Sequence, residues 1–414
     1  MPGDMIPPPE SVGRLAALGR SFRHRNFRLY FLGQMISLVG TWMQGVALSW
    51  LVYRLTGSSL DLGLLGFTSQ LPMFLLPLLG GALADRLDRR RILVGTQAAS
   101  MIQAGVLAAL TLTGHVEVWH LYALAALLGC INALDMPTRQ SFVIELVVKE
   151  DLHNAIALNS SVFNAARVVG PSVAGILVAA IGEGWCFLVN ALSFVAVILG
   201  LLAIRLPRRT PAKSPVSLLA NMLEGCRFAW STPFVRSALL LLGTGSMLGV
   251  SYATLMPVFA GEVLHSGARG LGILLASAGV GSLAAALTLA ARRGGAGLEK
   301  LVLGAAGGFG VSLLLFSLSR NFTLSALLLA PVGYSMIVFM AGTNTLLQLR
   351  TPDALRGRVM SLFSMMLIGM APFGSLLAGA LAHLLGTPPA VGLCGAAILV
   401  VTAVFGRHML RVDA

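Results

Sequence analysis

Twelve stretches of this chain are apolar over lengths that can cross a bilayer, and they come as six, a basic break and six more. They fall at 27–53, 60–84, 92–113, 118–145, 155–181 and 184–204, then at 234–260, 268–291, 299–319, 322–348, 359–385 and 388–406. A bilayer-spanning helix needs about 20 mostly apolar residues. With 56% of its 414 residues hydrophobic and only 11% charged, the chain can fill twelve such helices and has little left for a soluble domain. Soluble domains carry about a quarter charged residues. The expected fold is an all-α membrane protein of twelve transmembrane helices in two pseudo-symmetric six-helix bundles, divided as tail 1–26, bundle 27–204, linker 205–233, bundle 234–406 and tail 407–414. In the linker, Pro207, Pro211 and Pro215 break any continuous helix, and an amphipathic helix near 217–230 is expected to lie at the membrane surface.

The net charge of +13 comes from 29 Lys and Arg against 16 Asp and Glu. In a soluble chain that balance would suggest nucleic acid as a partner. Cytoplasmic loops of membrane proteins collect Lys and Arg, however. With both termini inside, 25 of the 29 basic residues fall on the cytoplasmic side and only Arg54, Arg269 and Arg320 outside, while Arg167 lies within a span. The basic excess thus reads as an orientation signal and nucleic acid is excluded. The first 26 residues hold no long apolar run, so no cleavable signal peptide is expected. Cys130, Cys186, Cys226 and Cys394 are far apart and form no CxxC pair, which argues against a disulfide framework or a metal site. Nor is there a phosphate-binding GxxxxGK[ST] loop to supply ATP drive.

The halves resemble each other at an offset near 203 residues, Arg89 and Arg90 corresponding to Arg292 and Arg293, and KEDLHNA at 149–155 to PDALRGR at 352–358. The segment GALADRLDRRR, from Gly81 to Arg91, is more specific still. It resembles the signature loop between helices two and three of the major facilitator superfamily: Gly81, Leu83, Ala84, Asp85, Arg86, Arg89, Arg90 and Arg91 fit, and Asp88 stands where glycine is usual. In the fifth span, RVVGPSVAG contains Gly170, Pro171 and Gly175 and is similar to the Gly-Pro motif of antiporter-type exporters, with Ala174-Gly175 in place of the usual glycine pair. On physical grounds, Pro171 removes a helix hydrogen bond and the small residues permit close helix contact. RNFRLYFLGQMISLVGTWMQ, MPTRQSFVIELV and NSSVFNAARVVGP resemble the subgroup of enterobactin exporters and macrolide-efflux proteins, over most of residues 25–205. That resemblance implies the major facilitator fold, a multi-pass place in the bacterial inner membrane, and export of a siderophore, macrolide or other drug. It also implies a monomer with no cofactor, driven by the proton gradient. An alternative of the same fold is a lysophospholipid or lipid flippase.

Polar residues in spans need a reason. Gln34, Ser37, Thr41 and Gln44 form one stripe of the first span at spacings of 3, 4 and 3, and Thr244, Met247, Ser251 and Thr254 repeat it 210 residues later. Matching stripes suggest two walls of a central cavity, with Asn164, Tyr334 and Asn344 as further lining; interhelical hydrogen bonding is the competing reading. Among acidic residues, Asp135 alone falls deep in the hydrocarbon. At 1.5 Å per residue it lies about 15 Å from the cytoplasmic end and Arg167 about 18 Å. Asp135 is therefore expected to pair with Arg139 one turn along, and with Arg167 across to the next span, as a static triad or as a proton-coupled switch. One carboxylate among two arginines leaves a positive surplus, which favours an anionic or neutral amphipathic substrate over a permanent cation. At the cytoplasmic side the resemblance implies a gate in which Asp85 meets Arg356 or Arg358, with Glu145 pairing to Arg90 or Arg91.

Overall fold

The computed structural model describes residues 19–76, 87–205, 218–292 and 297–411. The first half contains α1 (Arg25–Thr56), α2 (Ser59–Leu75), α3 (Arg89–Leu112), α4 (Val118–Val143), α5 (Leu152–Ile181) and α6 (Glu183–Ala203). A surface helix, α7 (Leu218–Ser231), leads into the second half: α8 (Pro233–Gly249), α9 (Gly267–Ala291), α10 (Leu298–Leu318), α11 (Phe322–Arg350), α12 (Asp353–Gly369), α13 (Ala371–Leu385) and α14 (Thr387–Arg411). Among the described residues eleven helices are long and apolar enough to cross a membrane; α2 is the twelfth, and its end runs into residues that are not described. The helices thus follow the expected all-α plan of two sets of six spans.

Local chemistry sets the helix ends. Gly57 adopts a left-handed φ of 60° that closes α1, and Ser58 caps α2 by accepting the Asp61 N–H at 3.2 Å. Asp88, the departure from the glycine usual in the signature loop, accepts the Arg91 N–H at 3.1 Å and so caps α3. A short polar side chain that starts a helix replaces a glycine that would only permit a turn.

Two spans depart from the expected continuous helix. The seventh leaves α-geometry after Gly249, passing through a 3₁₀ stretch (Val250–Leu255), a single turn (Met256–Val258) and a π stretch (Phe259–Val263). The Phe309 ring lies against the bare face of Gly249, and Pro257 lacks the donor a regular helix requires. The eleventh span breaks at Met370, where Pro372 follows, and the freed Leu367 carbonyl accepts the Ser246 hydroxyl of α8 at 2.6 Å.

The halves meet along two seams, α2 against α13 and α5 against α9. Both rest on glycine. A Cβ on Gly63 would lie 3.0 Å from the Gly379 Cα, and one on Gly175 3.0 Å from the Gly272 Cα. The Gly-Pro motif therefore serves two contacts: Gly170 backs onto Trp42 of α1, and Pro171 with Gly175 forms the bed for α9. Such backbone approach is how helices associate without a hydrophobic driving force.

Each seam closes at one end only. On one face of α5, Ile156, Ser160 and Phe163 are exposed, Arg167 is half-buried, and Pro171, Ala174 and Val178 are buried. The facing side of the eleventh span repeats the gradient: Ser361 and Met365 exposed, Pro372, Ser375 and Gly379 buried. Hydrogen bonds between halves follow it, since Ser59 to Gly379, Gln70 to Ser375 and Tyr53 to Glu262 belong to the half of the molecule away from the termini. Among the described residues, ion pairs at the termini end stay within a half or reach α7: Arg89 to Glu145, Arg350 to Glu299, and Arg358 to Glu224.

Candidate functional site

α4 places Asp135 and Arg139 one turn apart on a single face, acid first, which is the favourable order. Arg139 turns back on the carboxylate: Nε donates to Asp135 Oδ2 at 2.9 Å and Nη2 donates to the same oxygen. Asp135 Oδ1 accepts from Thr96 Oγ1 at 2.7 Å and Gln97 Nε2 at 2.9 Å, both on α3. The remaining arm of Arg139, Nη1, donates to Gln34 Oε1 of α1 at 2.6 Å. Asp135 is 4% exposed, and each of these contacts to its carboxylate comes from a donor. A buried charge in hydrocarbon costs at least about 2.5–3.5 kcal/mol if left alone. Two polar atoms beside this network, Tyr30 Oη and Gln97 Oε1, are buried without a hydrogen-bond partner among the described residues.

Arg167 does not join it. Its guanidinium lies 6.0 Å from the centre of the Trp42 ring and interacts electrostatically with Tyr252 of the seventh span. Neither a carboxylate nor a hydrogen-bond acceptor contacts it among the described residues. The expected pairing with Asp135 fails because α4 packs on α2 and α3, whereas α5 packs on α1 and α9. Equal depth in adjacent spans did not bring the two onto facing sides.

The first-span stripe turns inward rather than lining a cavity. Gln34 holds Arg139, Ser37 is buried, and Thr41 Oγ1 donates to the Ser37 carbonyl at 2.9 Å. Gln44 donates to Gln103 Oε1 at 3.1 Å and accepts from Asn190 Nδ2 at 2.7 Å, tying α1 to α3 and α6. Interhelical hydrogen bonding is what this stripe does, because its face is the one that α1 presents to its own bundle. The repeat in the seventh span is no mirror of it: Thr244 Oγ1 donates to the Leu240 carbonyl at 2.7 Å, and the Ser251 side chain lies outside the described residues. Tyr334 packs in the apolar core of the second half, Asn164 donates to the Ser160 carbonyl at 2.9 Å, and Asn344 accepts from the exposed Gln348 at 2.5 Å.

Of the gate residues, Gly81, Asp85 and Arg86 lie outside the described residues. Glu145 pairs with Arg89 at 2.7 Å rather than with Arg90 or Arg91. Capping by Asp88 starts α3 at Arg89, and the 100° step per residue then turns Arg90 toward α6, where it donates to the Leu201 and Leu202 carbonyls at 2.7 and 2.5 Å. Arg356 binds Asp353 at 2.5 Å and Arg358 binds Glu224 of α7 at 2.6 Å.

Sequence reasoning missed Thr96, Gln97 and Gln103 on α3, and Tyr252. The three on α3 had a legible signal: Thr96, Ser100 and Gln103 recur at helical spacing with Gln97 beside Thr96, the same periodicity that picked out the first span. Tyr252 had none, since its position depends on the irregular turn after Gly249.

Comparison with known proteins agrees with this architecture. The profile of the family described as "Transmembrane secretion effector" matches residues 17–414. The chain is 26% identical to the staphyloferrin A transporter of Staphylococcus aureus, over 91% of this chain and 95% of that protein. It is 28% identical to the multidrug efflux pump Tap of Mycolicibacterium fortuitum (82% and 85%) and 27% identical to the enterobactin exporter EntS of Escherichia coli (91% and 90%). Among solved structures, a bacterial homologue of the human lysosomal transporter Spinster, inward-facing and occupied, superposes with a TM-score of 0.72 at 14% identity, over 95% of this chain and 97% of that one. A bacterial homologue of the iron transporter ferroportin, also inward-facing, gives 0.67 at 19% identity, over 93% and 98%. With a family profile spanning nearly its whole length and a fold to match, the chain belongs to the transmembrane secretion effector family of the major facilitator superfamily.

Proposed function

We propose that this protein is a proton-coupled exporter of a small amphipathic molecule, working as a monomer by alternating access with both termini in the cytoplasm. The observation that carries the reading is the one-ended closure of the seams: the face of α5 that is buried from Pro171 to Val178 is open from Ile156 to Phe163. Halves that rock as rigid bodies about a central site need seams that seal at one end while parting at the other. With the termini cytoplasmic, the molecule faces inward, ready to load. The named relatives handle siderophores and drugs, which supports small molecules of that type as cargo.

Asp135 is the proposed coupling residue. Four donors converge on its carboxylate, so taking up a proton must rearrange them. Gln97 is placed for that change: its Nε2 donates to Asp135 now, and its unpartnered Oε1 would accept the acid proton after the amide turns over. Protonation would also loosen Arg139, whose other arm reaches α1 through Gln34. A local proton thereby reaches three helices of the first half.

The test is transport in proteoliposomes with an imposed pH gradient, comparing wild type with Asp135→Asn. Wild-type uptake of labelled siderophores or macrolides should rise with the gradient, and the variant should keep exchange down the substrate's own gradient while losing the proton-driven component. An unchanged proton-driven rate in the variant would place coupling elsewhere.

A further inference from the structure

Arg167 is a half-buried guanidinium at the middle of the α5 face, where the open gap between the halves ends and the sealed seam begins. An arginine carries five donors in a planar fork and stays charged. Here the guanidinium lies 6.0 Å from the centre of the Trp42 ring, which satisfies none of the donors in plane. Trp42 is in turn braced edge-on by Phe163 of α5, ring centres 5.8 Å apart. From the other half, α9 packs on the Arg167 backbone, where a Cβ on Gly279 would lie 3.3 Å from the Arg167 carbonyl oxygen. The acid that sequence reasoning offered as a counterion, Asp135, is already held by Arg139, Thr96 and Gln97. A charge kept at this depth with no acidic partner among the described residues, where the open gap between the halves ends, is arranged for a partner that comes and goes.

We propose that Arg167 is the anion anchor of the central binding site, taking the carboxylate of an aromatic organic anion whose ring lies along Trp42. The proposal rests on the exporter reading for its role as a substrate site. It assigns Arg167 to ligand binding and leaves coupling to Asp135. The site also lies where both halves meet, because the anchor and Trp42 belong to the first and α9, which packs on the Arg167 backbone at Gly279, to the second. A ligand held there would touch the two bodies that must move together.

The test uses the purified full-length chain and two isosteric probes, 1-naphthaleneacetate and its neutral amide, measured by equilibrium binding. Wild type should bind the acetate about tenfold more tightly than the amide, and Arg167→Gln should bring the acetate down to the level of the amide. Arg167→Lys should retain a reduced preference for the acetate, which keeps the comparison available if the glutamine variant is unstable. Trp42→Ala should weaken both probes alike. Equal wild-type binding of the two probes, or a preference that survives Arg167→Gln, would overturn the proposal. Proton-driven export is scored separately: a wild type that shows the Arg167-dependent preference but pumps neither probe supports the anion site and counts against the exporter reading, and the converse result separates them the other way.

Discussion

At the scale of single residues, the intramembrane charges divide, among the described residues, into a committed pair and a cation with no acidic partner, and the two should respond differently to substitution. Asp135 and Arg139 hold each other in a nearly dry setting. Removing one partner of such a pair strands the other, with a typical cost of about 3 kcal/mol. Arg139→Met should therefore lower the melting temperature in detergent, and Asp135→Asn combined with Arg139→Met should recover most of the loss; additive losses would show that the pair contributes no coupling energy. Arg167→Gln should leave the melting temperature unchanged or raise it, because it removes a charge that no described side chain neutralises. Asp135, Arg139 and Arg167 were all legible from sequence, since charges are conspicuous in apolar helices. So was the pairing of Asp135 with Arg139 one turn along, but the partners on other helices were not. Pairing depends on which way each helix is rotated, and the stripe Gln34, Ser37, Thr41 and Gln44 shows how the same periodicity fits a cavity wall and a bundle interior equally well.

At the scale of elements, the closed ends of the seams depend on backbone contact between glycines. A side chain at Gly175 or Gly272 has no room, as even a Cβ would come within 3.0 Å of the opposing Cα. Gly175→Leu should push α5 away from α9 and shift the population toward the state open at the far end. Labelling of a cysteine placed at Val178, buried in the closed state, reports this: faster modification is expected in the variant, and equal rates would mean that the seam does not act as a seal. The Gly-Pro motif could be found in the sequence because proline within an apolar span is conspicuous. That Gly170 serves α1 while Gly175 serves the other half could not, because the two glycines differ only in the direction they face. The breaks at Gly249 and Met370 were likewise hidden: Pro257 and Pro372 marked the neighbourhood, but the Phe309 ring that packs on Gly249 comes from a distant span.

At the scale of the whole molecule, apolar length and the distribution of arginine made the twelve-helix plan readable, because the bilayer imposes both. Orientation remains a proposal of that charge pattern, and it is checked by impermeant thiol labelling of intact cells: a cysteine at Arg320 should react from outside and one at Arg407 should not, whereas the reverse would invert the topology. The state of the molecule, sealed at one end and parted at the other, was beyond sequence, since the same sequence must serve both states. The central claim is that protonation of Asp135 switches between them, and spin-label distances across each end measure it most directly. Ser58 with His383 reports the end now closed, and Ser160 with Ser361 the end now open. Acidification of the wild type should change the two distances in opposite senses, one lengthening as the other shortens, and Asp135→Asn should abolish the response to pH. Distances that shift with pH in the variant as they do in the wild type, or that do not shift in either, would contradict it.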